Sequence, residues 1–448
     1  MRIETTDLEI QREPFARPFG FKGSCFNEKW NAVVRLTDPD GVRAFGVGGL
    51  AVLWADAAVF EAHTEVGGNV LSLAILEHAL QLAKGRDYAD PIHMLHDLFP
   101  QAHDYGKTVT RNPDLKPTFT LISLVALDNA AWVLHARENG IEAFDDLIPE
   151  TFRPCMSHRQ KHLAAVPVIP YKFPTEALAR ILDDGAYFLK IKIGQPGGEA
   201  EMLEKDIARL TEIHELAKDH ATDMTECGRP IYYLDANGRY REKKSVARLL
   251  DHAERIGMLD RIALFEEPFV EGLDMDVGDL PSRIAADESV HGIEDVRRRA
   301  DQGYTALAIK PAGKTLSMAF QFARTAAGLG LPCYVADNAC VPILVDWNKT
   351  FAARLPAFPG LEGGVLESNG SDSYPNWDAQ LKTHPCAGAS WLRPVRGSFE
   401  LSEDFYKAGG GIFADPTPFC RLFRGATSQL GSGLQGVLPK SRTGKNDL

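Results

Sequence analysis

Acidic residues and lysines recur in this sequence at the ends of short apolar runs. Asp235 closes the run in Leu-Asp-Ala-Asn-Gly, Glu266 and Glu267 that in Phe-Glu-Glu-Pro, and Asp287 and Glu288 that in Ala-Asp-Glu-Ser. Taken singly, Asp235 could merely open a turn, the glutamates could be a solvated pair, and Asp287-Glu288 could cap a helix near Ser289. Together, carboxylates from three successive strand ends, with no His or Cys cluster nearby, describe an octahedral site for a hard cation, Mg²⁺ or Mn²⁺. Lys190 and Lys192 stand two apart, so both side chains leave one face of a strand, and Lys310 ends a later run. Alone, each lysine reads as a solvated surface charge. Inside such a site, a lysine crowded by another cation and partly desolvated has its pKa lowered toward the range of a working base. A metal that binds a substrate carboxylate stabilises the enediolate left when the α-proton departs. One known chemistry that such a set of groups serves is proton abstraction beside a carboxylate.

Those residues need elements that bring them together. After Pro154 the sequence offers eight short apolar strands: Ala164 to Ile169, Tyr187 to Ile193, Ile231 to Leu234, Ile262 to Phe265, Ile284 to Ala286, Ala306 to Ile309, Pro332 to Val335 and Gly364 to Leu366. Most are followed by a segment of helical character, which suits repeated βα units closed into a barrel, with an open doubly wound sheet as the alternative. The polar residues favour the barrel, because Lys190, Lys192, Asp235, Glu266, Asp287, Lys310, Asp337 and Glu367 all fall at or near strand ends. In a barrel those ends share one mouth. Upstream, Ala32 to Leu36 and Val42 to Gly49 flank the turn Asp38-Pro39-Asp40-Gly41 and predict a hairpin. Apolar residues at helical spacing from Asn69 to His78 and from Phe119 to Arg137 predict helices, making the N-terminal part α+β.

The chain has 448 residues, which suggests two domains or a barrel with an added piece. A formal net charge of −12 argues against nucleic acid or an anionic membrane as a partner. Met1 to Glu13 lacks the apolar core of a signal peptide, and no later stretch reads as a membrane span, so the expectation is a cytoplasmic protein. Seven scattered cysteines without a CxxC pair fit reduced thiols. Gly431 to Gly436 matches GxGxxG, but no strand precedes it and no capped helix follows. Asp235-Ala-Asn-Gly-Arg starts like a calcium loop and fails at the sixth position, where Tyr240 stands in place of glycine.

Phe-Leu-Lys-Ile-Lys-Ile-Gly (188 to 194), Leu-Asp-Ala-Asn-Gly (234 to 238), Phe-Glu-Glu-Pro (265 to 268), Ala-Asp-Glu-Ser (286 to 289) and Ala-Ile-Lys-Pro (308 to 311) resemble, in order and spacing, the motifs of the muconate-lactonising and mandelate-racemase branch of the enolase superfamily. The resemblance implies an α/β fold, a modified TIM barrel (β/α)7β under an α+β capping domain. Its divisions would be 1–158 (cap), 159–395 (barrel) and 396–448 (a segment returning to the cap). It implies Asp235, Glu266 and Asp287 as metal ligands and Lys192 and Lys310 as an acid/base pair on opposite faces of the substrate. Lys190 would depress the pKa of Lys192 and hold the carboxylate, while Asn237 and Glu288 would orient ligands or Lys310. Asp337, Asn338 and Glu367, with cap loops near Arg17 to Cys25 and Gly48 to Asp56, would set specificity. The cofactor would be Mg²⁺ (or Mn²⁺), the partner a small carboxylate substrate, and the assembly a homo-oligomer.

This sequence departs from the family pattern in three places. Val335-Ala336-Asp337-Asn338 carries no histidine at the seventh strand end, which favours the two-lysine branch. Pro-Ala-Gly-Lys-Thr follows Lys310 in place of a double glycine, leaving Lys314 without an assigned role, and extra residues stand near Thr222 to Arg229 and after Arg396. The leading expectation is a racemase or epimerase of a carboxylate such as an N-acylated amino acid or dipeptide, since one lysine removes a proton and the other returns it. Cycloisomerisation and dehydration use the same pair, and a Schiff-base lyase on an ordinary barrel would use Lys192 or Lys310 as nucleophile.

Overall fold

The computed structural model describes residues 1–21 and 24–424; the Gly431 to Gly436 motif lies outside the described residues. The hairpin is present as β2 (Ser24–Thr37) and β3 (Arg43–Leu50). Its turn is made by the Asp38 carboxylate, whose Oδ1 accepts the amides of Asp40 (2.9 Å) and Val42 (2.7 Å). A third strand, β1 (Thr5–Phe21), pairs antiparallel with β2 and was not foreseen. Its sequence holds Pro14 and Pro18, which argue against a strand except at a sheet edge, where β1 lies; its register breaks between Pro14 and Phe19.

Four helices follow: α1 (Val52–Ala55), α2 (Ala57–Ala83, broken at Thr64), α3 (Pro91–Thr110) and α4 (Pro117–Glu138). Gly46 and Gly48 let α4 lie directly on β3, since a Cβ at Gly46 would stand 2.1 Å from the Ala126 carbonyl oxygen. By length and composition α2 and α4 could each cross a membrane, which corrects the expectation that no stretch could. The apolar window of α4 is 94% buried inside the protein, as expected of a helix that is hydrophobic all round and sits in a core.

Beyond a short α5 (Phe144–Leu147), all eight expected strands are found. The first is interrupted at Pro167 into β4 (His162–Val166) and β5 (Val168–Ile169). Then come β6 (Phe188–Lys192), β7 (Ile231–Asp235), β8 (Ile262–Glu266), β9 (Ile284–Ala286), β10 (Ala306–Ile309), β11 (Cys333–Val335) and β12 (Gly364–Glu367). All are parallel. Because β5 pairs with β6 while β4 pairs with β12, the two ends of the ladder meet in one interrupted strand and the sheet closes. This excludes the open doubly wound sheet. A further strand, β13 (Ser398–Glu400), pairs antiparallel with β4.

Helices α6 (Thr175–Asp183), α7 (Glu199–Ala217), α8 (Lys243–Arg255), α9 (Ile293–Asp301), α10 (Pro311–Lys314), α11 (Leu316–Gly328) and α12 (Pro342–Ala352) connect the strands. Residues 267–283, between β8 and β9, contain no helix, so the repeat is less regular than expected. Strand residues divide by parity: Ile231, Tyr233, Leu264, Ala285, Ala306, Ala308, Tyr334 and Val365 fill the barrel, while Tyr232, Leu234, Phe265, Leu307, Val335 and Leu366 face the helices.

The capping elements are fixed to the barrel by buried polar contacts. Asp128 on α4 accepts the Ser317 hydroxyl (2.5 Å) and amide (3.1 Å) at the start of α11, and the Trp132 indole donates to the same hydroxyl. The C-terminal stretch runs back to the cap, where Arg137 donates to the Phe413 carbonyl and the Asp415 carboxylate. Residues 222–229 lie at the opposite end from the mouth: Glu226 donates to the Gly360 carbonyl and Glu362 to that of Met224, ahead of β7 and β12.

Candidate active site

Parity explains how the chemistry reaches one place. Lys190 and Lys192 continue the inward phase of Phe188, Asp235 that of Tyr233, Glu266 that of Leu264, Lys310 that of Ala308 and Glu367 that of Val365. Lys192, Asp235 and Glu266 stand side by side in register across β6, β7 and β8. A cavity of about 50 Å³ is lined by Lys190, Lys192, Asp235, Asn237, Glu266, Asp287, Glu288, Lys310, Asp337, Asn338 and Glu367. Phe26, Ala51 and Trp54 from the cap and Val168 from β5 supply its apolar wall.

Lys190 is buried and makes ion pairs with Asp235 (2.9 Å), Glu266 (3.2 Å) and Glu367 (2.9 Å). Burial works to lower its pKa, but Asp235, Glu266 and Glu367 outweigh it and hold the ammonium well above its ordinary value. Lys310 behaves alike: burial is overcome by Asp287, 2.5 Å away, and by Glu266. The expected lowering of the lysines is therefore not seen at Lys190 or Lys310, because acidic neighbours outnumber cationic ones. Lys192 donates to Asp235 (2.5 Å) and to the Asn237 amide oxygen (2.7 Å). Asn237 in turn donates to Glu288 (3.0 Å), so it links Lys192 to Glu288.

Among the described residues, three carboxylates bring their oxygens within 4.8 Å of one another: Glu266, Asp287 and Glu288. Asp235 is turned toward Lys190 and Lys192, which hold it well below the ordinary carboxylate range against the effect of its burial. Asp287 Oδ1 and Glu288 Oε2 are buried without a hydrogen-bond partner. Buried carboxylate oxygens left unmatched beside a third acid are an unfavourable arrangement that a divalent cation relieves, so the donor set fits a hard metal ion. Glu288, read from the sequence as an orienting residue, lies in the same cluster as Glu266 and Asp287.

Sequence reasoning missed several contributors. The Tyr334 hydroxyl donates to Glu266 Oε2 (2.5 Å), as does that of Tyr233. Tyr233 lies two residues before Asp235, so period-two alternation could have found it. Glu267, at φ 38°, turns away from the cavity and accepts the amides of Asp287 (2.8 Å) and Ser289 (3.0 Å). Lys314 donates to the carbonyls of Asp287 (2.8 Å) and Val290 (2.7 Å), bracing the loop that carries Asp287 and Glu288. Trp54 covers the Lys310 ammonium at 4.5 Å from its ring centre. Lys29, fully buried on β2, donates to the Asn338 carbonyl (2.6 Å), and burial lowers its pKa to about 8. No local pattern connects a cap lysine or tryptophan with a barrel mouth.

A closed eight-stranded barrel under an α+β cap, with acids and lysines converging at its mouth, defines the structural class. Residues 173–385 match the model of the enolase C-terminal domain-like family. The chain is 25% identical over 374 residues to the hydrophobic dipeptide epimerase of Citrifermentans bemidjiense, spanning 81% of this chain and 88% of that protein. Its fold is similar to that of the dipeptide epimerase from Enterococcus faecalis V583 complexed with Mg and L-Leu-L-Tyr (TM-score 0.63, 17% identity, 90% and 98% of the two chains). It is also similar to a mandelate racemase/muconate lactonizing enzyme from Roseiflexus sp. (TM-score 0.64, 19% identity, 91% and 96%). Residues 173–385 thus match the enolase C-terminal domain-like family, and the relatives support its mandelate-racemase and muconate-lactonising branch.

Proposed function

We propose that the protein is a divalent-metal-dependent racemase or epimerase that exchanges the proton α to a substrate carboxylate. One observation carries the reading: Lys192 ends β6 and Lys310 follows β10, the second and sixth strands of an eight-stranded barrel, so the two ammonium groups stand across the mouth from each other. The acids of the third, fourth and fifth strands lie between them.

Glu266, Asp287 and Glu288, with Asp235 released from its lysines, would hold Mg²⁺ or Mn²⁺. A bound divalent cation supplies positive charge for the substrate carboxylate as it becomes an enediolate. One of Lys192 and Lys310 would remove the α-proton from one face and the other return a proton to the opposite face, the metal's charge offsetting the acids that now raise Lys310. Lys190 contributes fixed positive charge, and the apolar wall excludes water. The dipeptide epimerase relatives support this reaction over cycloisomerisation or dehydration.

The test is hydrogen exchange. Metal-loaded protein in D₂O should introduce α-deuterium into both enantiomers of a substrate; Lys192→Ala should abolish exchange from one and Lys310→Ala from the other, each by about 10²- to 10⁴-fold. Unaltered exchange in both variants refutes the two-base reading.

A further inference from the structure

A second cavity, of about 210 Å³, shares no lining residue with the one at the barrel mouth. It lies where β1 of the cap, the start of α12, the short helix Trp377–Lys382 and the returning C-terminal stretch meet. Its polar wall is arranged to accept. Glu13 is 8% exposed, and its carboxylate takes amide donors: Gln11 Nε2 on one oxygen (2.8 Å) and Asn376 Nδ2 on the other (3.0 Å). Gln380 donates to the Asn376 amide oxygen (2.9 Å), which keeps the Asn376 nitrogen turned toward Glu13. The Gln11 oxygen, Oε1, is buried with no hydrogen-bond partner. Because the nitrogen of the same amide bonds Glu13, that oxygen stands close beside the carboxylate.

No cation answers these acceptors. Among the described residues, no lysine or arginine lines the cavity and none forms an ion pair with Glu13. Lys29, the register partner of Glu13 across β1 and β2, spends its ammonium on the Asn338 carbonyl. His384, which does line the cavity, accepts the Cys386 amide on Nδ1 (3.1 Å) and turns Nε2 toward Asp346 (3.1 Å). A buried carboxylate is ordinarily matched by a cation, and an orphaned acceptor is unfavourable until a donor reaches it. One N–H-bearing cation satisfies both. A single carboxylate with one amide oxygen falls far short of the oxygen cage that a hard metal ion takes. The remaining wall is apolar, formed by Pro342, Ile343, Pro385, Pro418 and Phe419. We infer that this cavity binds a small primary amine, its ammonium between Glu13 and Gln11 Oε1 and its apolar body against Phe419 and the prolines. An amino acid or dipeptide is a poor match, since no cation on the wall receives its carboxylate.

Three probes separate these terms: 2-phenylethylamine, 2-phenylethanol, which lacks the charge, and phenylalanine, which adds a carboxylate. In calorimetry on the full-length protein the amine should bind at least about tenfold tighter than either of the others. Glu13→Gln should abolish that preference. Glu266→Gln should leave it unchanged, which assigns the binding to this cavity and not to the acids at the mouth. Gln11→Leu keeps the carboxylate and should weaken the amine by at least about threefold, with circular dichroism confirming the fold; it decides the matter if Glu13→Gln fails to fold. An amine that binds no tighter than the alcohol or the amino acid overturns the inference. So does a preference that survives Glu13→Gln, an affinity that Gln11→Leu leaves unmoved, or a preference lost in Glu266→Gln.

Discussion

Glu266 receives two tyrosine hydroxyls and an ion pair from Lys190, whereas Glu267 receives two backbone amides and the Ser289 hydroxyl (2.5 Å). The first faces the cavity and the second braces the loop that bears Asp287. Glu266→Gln should therefore weaken Mg²⁺ binding directly, by tenfold or more, as read by calorimetry. Glu267→Gln keeps an acceptor for the same donors and should weaken it by less than about fivefold, since a neutral amide oxygen still satisfies them. The reverse order would show that the wrong glutamate was assigned to the metal. At this scale the sequence was informative about which residues meet, because strand ends and alternation place inward side chains without knowledge of their neighbours. It was silent on charge balance: that Lys190 has three acids around it depends on residues as far away as Glu367, and no local motif carries the sum.

Helix α4 illustrates both the reach and the limit of pattern reading. Its existence was evident from apolar spacing, but its burial on every face, and the contact of Asp128 with the start of α11, depend on a partner far along the chain. The proline-bearing β1 was hidden for the opposite reason, since an edge strand tolerates residues that count against a strand anywhere else. Asp128 has a consequence for pH. Burial, only partly offset by Ser317, raises its pKa from 3.8 to about 7. The folded state thus keeps a proton that the unfolded chain releases, so this contribution to stability is complete below about pH 4 and declines as the pH rises toward 7. Asp128→Asn removes the titration. Urea unfolding between pH 4 and 7 should show a shallower fall for this variant than for the parent, by up to about 1.4 kcal/mol per pH unit. Parallel curves would remove Asp128 as the source.

At the scale of the whole molecule, cap and barrel share one hydrophobic core, in which α4 packs on β3 and against α10 and α11. Residues 159–395 expressed alone would expose the barrel faces that α4 now covers, together with the open edge of β4 where β13 pairs. That fragment should be insoluble or oligomeric by size-exclusion chromatography, because large exposed apolar patches and free strand edges associate. A soluble monomer with the circular dichroism of a folded barrel would contradict the shared core.

The interrupted strand β4–β5 also fixes an order of events during synthesis. Leu163 has Gly364 as its parallel partner and Phe399 as its antiparallel one, both from near the end of the barrel sequence. On the ribosome, the first staves of the barrel emerge long before the last, and β4 waits with both edges unpaired while translation proceeds. Contacts of such long sequence separation form late and leave strand edges open to other chains in the interval. Nascent chains arrested before Gly364 should remain protease-sensitive at β4, and protection should appear only once Glu400 has cleared the exit tunnel. The hoop is sealed by its last stave, so the catalytic mouth cannot exist on a partly made chain.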